Sequence, residues 1–164
     1  MKKIAWIISI VFVASLAWAQ TDKLNPEKKT MEFFPASSLV ITNTNGTIYP
    51  EIKSGDKVVF QFTRQAAENP MVSDDEMTES LVFEADANWK VFEYRKKILL
   101  SKATYQLGCF CAERGYFTVT GGYIKGKKLA NGNYLIDANV SITFKNGTKK
   151  SFKFKGTFNP VHAG

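Results

Sequence analysis

Cys109 and Cys111, the two cysteines of this 164-residue chain, carry its most reactive side chains, and one phenylalanine separates them. Two thiols at this spacing can form a redox dithiol, a soft-metal site, a disulfide, an intermolecular bridge or part of a hydrophobic core. A Cu(I) site would need further ligands, for which the sequence offers Met71, Met77 and His162. A redox dithiol would lack the helix N-terminus that activates the thiolate in Cys-x-x-Cys enzymes.

Alternating polar and apolar residues around the cysteines predict a strand from Ala103 to Cys111. In a regular strand, the Cα atoms of residues two apart are separated by roughly 6.6–6.8 Å. A disulfide requires Cβ atoms about 3.5–4.5 Å apart, so a regular strand would prevent the bond. Gly108 is the residue that would allow the strand to bend. The sequence therefore leaves the core, disulfide, metal and redox interpretations open.

A run of acidic residues, Asp74, Asp75 and Glu76, could hold a hard cation such as Ca²⁺ or form a solvated turn. The same segment has the form of a capping box and predicts one or two helical turns between Ser73 and Glu79. The chain has a single histidine and no glycine-rich phosphate loop, so zinc sites of the histidine type and a catalytic triad are not expected. These features predict a protein that is not an enzyme and that has no cofactor.

Basic residues are concentrated in the second half of the chain. Residues 20–88 carry 6 lysines and arginines against 12 carboxylates, whereas residues 90–155 carry 14 against 3. This asymmetry predicts either charge pairing between the halves or a basic surface for an acidic glycan, a cell-envelope surface or an acidic protein. The same lysines could instead prevent edge-to-edge strand pairing, and nucleic acid is not expected. The candidate binding residues are Lys149, Lys150, Lys153 and Lys155.

The N-terminus has the three parts of a secretory signal peptide. Lys2 and Lys3 precede an apolar run that is too short for a transmembrane anchor, and Ala17-Trp18-Ala19 fits signal peptidase. The sequence predicts a signal peptide over 1–19, a flexible tether over 20–30, a single all-β domain over 31–160 and a frayed tail over 161–164. We expect an exported bacterial protein, periplasmic or extracellular, without a transmembrane segment in the mature chain.

The clearest strand pattern runs from Tyr134 to Lys145, where apolar and polar residues alternate. A second strand follows, with phenylalanines at alternate positions beginning at Phe152. A two-residue loop would put these phenylalanines on the face opposite the apolar residues of the first strand. A three-residue loop ending at Gly147 pairs Val140 with Phe152 and brings all the apolar residues to one face. We therefore predict a type I turn with a left-handed Gly147 and a G1 bulge.

Shorter alternating segments, separated by turns rich in asparagine, aspartate and glycine, predict the remaining strands. About eight to nine strands predict an antiparallel β-sandwich with a C-terminal meander, and the alternative is an up-and-down, lipocalin-like β-barrel. The remaining predicted strands are Leu39–Asn43, Thr47–Ile52, Lys57–Arg64, Ser80–Asp86, Trp89–Arg95, Ala103–Cys111 and Tyr116–Lys125.

The sequence favours an exported, non-catalytic binding or interaction module and does not identify its ligand. One alternative is a barrel that carries a small apolar ligand among the 13 phenylalanines and 6 tyrosines. Another is a thiol or copper-binding protein that uses the Cys-Phe-Cys motif.

Overall fold

The computed structural model describes residues 25–68, 76–95 and 97–161. Within these ranges the chain forms nine strands and one 3₁₀ turn, so the predicted all-β class is confirmed. The predicted signal peptide, residues 20–24 of the tether and residues 162–164 of the tail lie outside the described residues. The elements are β1 (Lys28–Thr44), β2 (Thr47–Ser54), β3 (Lys57–Gln65), β4 (Thr78–Asp86), β5 (Val91–Tyr94), the 3₁₀ turn (Ile98–Ser101), β6 (Thr104–Gly108), β7 (Gly115–Lys128), β8 (Tyr134–Thr143) and β9 (Lys149–Pro160).

Hydrogen bonds link the strands in the order β2-β1-β3-β4-β6-β7-β8-β9, and β5 pairs with the second half of β7. These pairings are antiparallel. β1 and β9 meet in parallel through two residue pairs, Glu32 with Asn159 and Phe33 with Pro160. This contact returns the path of pairings to β1, so β1, β3, β4, β6, β7, β8 and β9 form a closed ring.

Aromatic side chains fill the interior between the facing strands of the ring. Phe62 of β3 stacks on Phe154 of β9 with ring centroids 4.3 Å apart, and Phe60 meets Phe158 edge-on at 5.8 Å. The other rings in contact with Phe60 are those of Phe33, Phe83, Phe92 and Tyr134. The interior is therefore packed in two facing layers, as in a sandwich, while the pairings continue around it in a barrel-like path.

β1 belongs to two layers because it bends at Ala36, which adopts the left-handed conformation with φ 47°. Residues 28–34 pair with β3 in the ring, and residues 37–44 pair with β2. The register between β1 and β3 shifts at this bend, as it does at a β-bulge. The β1–β2 hairpin covers the outer side of the ring, where a second, smaller core forms from Leu39, Val59 and Val82.

The β8–β9 hairpin confirms the predicted three-residue loop. Val140 lies opposite Phe152 in the ladder, and the Phe144 N–H donates to the Thr148 carbonyl at 2.9 Å. Gly147 has φ 85°, and its N–H donates to the Phe144 carbonyl at 2.9 Å. The register follows from burial, because a shift by one residue would turn Phe152 towards solvent.

Three predicted elements differ from the observed ones. β1 begins at Lys28, so the last residues of the predicted tether belong to a strand. β6 ends at Gly108, which leaves both cysteines in the following loop. Thr78 and Glu79 start β4 instead of ending a helical turn, and residues 73–75 of that predicted turn lie outside the described residues.

Candidate functional site

The loop after β6 joins Cys109 and Cys111 in a disulfide, with their Cα atoms 5.2 Å apart. This separation is shorter than the roughly 6.6 Å of a regular strand, so the chain leaves the extended conformation after Gly108. Bonded sulfurs are not thiolates, and this form of the protein therefore offers neither a reduced dithiol nor a pair of soft-metal ligands. Phe110, between the two cysteines, is 77% exposed.

Metal-ligating side chains do not gather elsewhere in the described part of the chain. Within residues 25–68, 76–95 and 97–161, no group of three or more His, Cys, Asp or Glu side chains could hold a metal ion. Glu76 is exposed and Glu79 is buried among cations, so these two do not share a calcium site. Asp74, Asp75, Met71 and His162, which the sequence offers as further ligands, lie outside the described residues.

The four lysines predicted as one binding surface lie on both faces of β9. Lys149, Lys153 and Lys155 point outward and are exposed. Lys150 alternates with them and points inward, where its Nζ bonds to the Glu79 carboxylate. Lys150 therefore does not lie on the outward surface with the other three, because neighbouring side chains of a strand point to opposite faces. That these lysines bind a ligand stays a prediction.

Five exposed cations lie on the outward side of β5, β7 and the part of β9 that begins at Lys153, with Arg95 directly after β5. We call this surface the outer basic face. Two carboxylates, Glu93 and Asp137, lie among the cations, and the register places both in one cross-strand row of alternating charge with two of the lysines. The cations of the outer basic face are Arg95, Lys125, Lys127, Lys153 and Lys155.

The two carboxylates of the outer basic face are already engaged. Glu93 lies 3.1 Å from Arg95 Nε and 3.6 Å from Lys125 Nζ, and the hydrogen bond from Arg95 holds the pKa of Glu93 below its ordinary value. Asp137 accepts a hydrogen bond of 3.1 Å from the Tyr123 hydroxyl, which raises the pKa of Tyr123. Arg95 and Lys125 also lie over the Tyr123 ring, at 5.0 and 5.3 Å from its centroid. Positive charge thus surrounds the aromatic ring.

The remaining cations of this face have no such partners. Among the described residues, Lys127, Lys153 and Lys155 have no carboxylate within ion-pair distance of their ammonium groups. Lys127 and Lys155 line a shallow groove of about 270 Å³ that crosses the strands. The face therefore combines a surplus of positive charge with a concave surface.

The rest of the groove combines apolar groups with the cross-strand row of alternating charge, so both carboxylates of the face also line it. Val91 and Leu135 supply its apolar side chains, and the backbone of Gly126 forms part of its floor. Only glycine fits at position 126, because the ring of Phe92 occupies the space on the inner side where a Cβ atom would lie. Close packing inside the ring thus brings the backbone to the surface of the groove.

Inside the ring, Glu79 is fully buried and bonded to three side chains from three other strands. The Tyr105 hydroxyl donates to Glu79 Oε1 at 2.5 Å, and Arg64 and Lys150 form ion pairs with the carboxylate. Burial opposes the ionisation of Glu79, but hydrogen bonds from Lys150, Tyr105 and Arg64 outweigh it and hold the pKa of Glu79 below its ordinary value of 4.5. Burial and the bond to Glu79 raise the pKa of Tyr105 far above its ordinary value. The sequence contains one indication of this site. Glu79 lies two residues before the buried Leu81 on the same strand, so the two side chains point to the same face.

Glu84, a buried carboxylate on the opposite face of β4, forms an ion pair with Lys102, whose side chain is partly exposed. Its Oε1 lies 2.9 Å from Lys102 Nζ, and its Oε2 accepts the Leu39 N–H at 2.8 Å. Lys102 Nζ in turn donates to the Leu39 carbonyl at 2.8 Å. The ion pair therefore satisfies both backbone polar groups of Leu39, as a neighbouring strand would.

Comparison of the chain with protein-family models, with curated proteins and with solved structures gives no match. In the ranges that the structure describes, no helix has the length and apolar character needed to cross a membrane. The functional conclusion therefore rests on the geometry and charge of the surfaces described above.

Proposed function

We propose that this chain is an exported, non-catalytic binding module that holds an acidic polysaccharide on its outer basic face. The observation that carries the proposal is the groove of about 270 Å³, in which two of the three lysines, Lys127 and Lys155, have no carboxylate partner among the described residues. Anionic sugars would meet the ammonium groups, while the C–H surface of a sugar ring would pack on Val91 and Leu135.

The spacing of the cations suits an extended ligand. Lys125 on β7 and Lys155 on β9 lie on either side of β8, at two strand separations or roughly 9–10 Å. Lys127 and Lys153 extend the positive surface along the strands. A linear polyanion could therefore contact several lysines at once, and each weak contact would add to the same binding event.

The packing of the interior gives less support to a carrier of a small apolar ligand. Such a carrier needs an internal cavity of roughly 300–1,000 Å³. The rings around Phe60 and the stacked pair of Phe62 and Phe154 occupy that region here. The disulfide between Cys109 and Cys111 likewise gives less support to copper binding, which needs free thiolates.

The test is titration with polygalacturonate, with uncharged dextran as the comparison ligand, at low and at high salt. We expect the protein to bind polygalacturonate and not to bind dextran. Its affinity for polygalacturonate should fall as the salt concentration rises, because the charge contacts are exposed to solvent. The triple variant K127Q/K153Q/K155Q should bind at least about tenfold more weakly, since each exposed charge contact contributes about 0.5–1 kcal/mol.

A matched control removes three exposed lysines from other surfaces. The variant K53Q/K97Q/K145Q has the same net charge as the first triple variant, so an effect of total charge would weaken both equally. Equal affinities of the two triple variants for polygalacturonate would refute the outer basic face as the binding surface.

A further inference from the structure

The 3₁₀ turn between β5 and β6 exposes two consecutive leucines because of its period. With three residues per turn, Ile98 and Ser101 share one face, and both are buried against the domain. Leu99 and Leu100 occupy the other two faces and are 69% and 64% exposed. Two adjacent leucines with this exposure remove little apolar surface from water, so folding of this chain alone gives no reason for leucine at both positions.

The turn is held rigidly by contacts on its inner side. The Ser101 hydroxyl donates to the Ile98 carbonyl at 2.6 Å, and the Lys102 N–H donates to the Leu99 carbonyl at 3.1 Å. Lys102 adopts the left-handed conformation that ends the turn, and its Nζ is fixed between Glu84 and the Leu39 carbonyl. The two leucines are therefore presented in a fixed position before any partner arrives.

Trp89 extends the apolar surface beside the turn. Trp89 is 44% exposed and lines the same cavity of about 160 Å³ as Leu100, and its ring lies 6.0 Å from that of Tyr94. Indole rings favour the boundary between water and lipid because they combine an apolar body with one N–H donor. We call Trp89, Leu99 and Leu100 the apolar tip.

Exposed lysines flank the apolar tip in sequence. Lys90 follows Trp89 and Lys97 precedes the turn, and both are exposed. Within the described residues, neither has a carboxylate at ion-pair distance, whereas the carboxylates of Glu84 and Asp86 are engaged by Lys102 and Lys57. The residues next to the tip thus contribute two lysines without a carboxylate partner among the described residues, while the two carboxylates of the shared cavity are each paired with a lysine.

We infer that the apolar tip docks this protein on an anionic lipid surface. Leu99, Leu100 and Trp89 would enter the boundary between headgroups and acyl chains, and Lys90 and Lys97 would contact the phosphates. This surface is separate from the outer basic face, and the inference does not depend on the proposed polysaccharide ligand.

Trp89 provides the measurement, because it is the sole tryptophan of residues 20–164. The chain beginning at Gln20 is mixed with vesicles of phosphatidylglycerol and phosphatidylcholine, or of phosphatidylcholine alone. We expect a blue shift of Trp89 emission and co-sedimentation with the anionic vesicles, and neither with the neutral ones. Absence of both signals with the anionic vesicles would overturn the inference.

Two variants test whether partitioning depends on insertion of the two leucines and not on any exposed apolar side chain. L99S/L100S should lower the partition coefficient at least about tenfold, because two apolar side chains no longer enter the lipid. F110S, which removes an apolar side chain that is 77% exposed in the loop after β6, should partition as the unchanged chain does. Circular dichroism and thermal unfolding check that each variant folds.

Two outcomes would show that the leucines do not dock the protein on lipid. If L99S/L100S binds anionic vesicles as well as the unchanged chain and K127Q/K153Q/K155Q does not, the outer basic face alone contacts lipid and the inference fails. If the unchanged chain is a dimer in sedimentation velocity and L99S/L100S is a monomer that still partitions normally, a second copy covers the tip instead.

Discussion

Glu79 and Glu84 are two buried carboxylates on the same strand, five residues apart and therefore on opposite faces. Glu79 points into the aromatic interior and bonds only to side chains, whereas Glu84 points to the second core and bonds to a lysine and a backbone N–H. Each receives a lysine from the basic half of the chain, Lys150 or Lys102. Part of the charge asymmetry of the sequence is thus used inside the fold.

The two sites differ in the groups that each carboxylate stabilises. Glu79 gathers two cations and a hydroxyl in a region otherwise filled with phenylalanine, so the cluster is held by mutual compensation of charge. Glu84, with Lys102, supplies an acceptor and a donor to the backbone of Leu39, beyond the last β1–β3 pair at Ser37. We therefore expect Glu79 to affect the stability of the whole domain and Glu84 to affect the attachment of the β1–β2 hairpin.

The largest effect should come from Glu79→Gln. This change leaves Lys150 without its anion and Arg64 with only Glu27, 3.8 Å from its Nε. We expect a loss of about 3 kcal/mol in the free energy of unfolding, because both cations retain some contact with water. Urea unfolding at neutral pH measures it. Glu51→Gln, which alters an exposed pair with Lys53, is the control and should change stability by less than about 0.5 kcal/mol. Equal losses for the two variants would contradict the role of Glu79.

Acidification should produce the next largest effect, because it removes the same charge. The pKa of Glu79 is lower in the folded chain than its ordinary value of 4.5, so its contribution to stability is present above that value. As pH falls below 4.5 and through the folded pKa, that contribution is lost. The difference in unfolding free energy between the unchanged chain and Glu79→Gln should therefore narrow with acid. A difference that stays constant across this range would show that Glu79 does not act through its charge.

Tyr105→Phe should have a smaller effect. The substitution removes one hydrogen bond to a charged group and keeps the ring, so the expected loss is about 1.5 kcal/mol. Thermal or urea unfolding measures the loss. Tyr94→Phe is a suitable comparison, since Tyr94 is also a buried tyrosine, and burial raises its pKa to about 12. A larger loss for Tyr94→Phe would mean that the bond to Glu79 contributes little.

Glu84→Gln should have the smallest effect on global stability, about 1 kcal/mol, because the amide oxygen can still accept the Leu39 N–H. Its effect should be local. Amide hydrogen exchange should speed up at Leu39 and along β2, while exchange in β8 and β9 stays unchanged. Faster amide exchange throughout the ring would contradict the prediction that Glu84 affects only the attachment of the β1–β2 hairpin.

The predictable part of this fold is the part where one face of a strand is buried and the other is not. The β8–β9 register follows from parity alone, since only one loop length buries both Val140 and Phe152. The first half of β1 could not be predicted in the same way. Phe33 faces the ring interior and Phe34 packs on the second core, so adjacent apolar residues interrupt the alternation.

The buried ion clusters were not predicted, because their partners lie far apart in sequence. The residues that bond to Glu79 are 15, 26 and 71 positions away, and no local pattern connects them. An isolated glutamate resembles a surface residue until the strands are assembled. The position of Lys150 is predictable, because it lies two residues before the buried Phe152 on the same strand and its side chain must point to the same inner face.

The contact between β1 and β9 has a consequence for the order of events during folding. The strands that close the ring are the first and the last of the described chain, so Glu32 and Phe33 find their parallel partners only after Asn159 and Pro160 have been synthesised. Earlier strands can pair with one another first, but the aromatic interior stays open to water on that edge until β9 is available. Closure across so much sequence is slow compared with hairpin formation. The species in which β9 has not yet paired with β1 is therefore the one in greatest need of protection from aggregation.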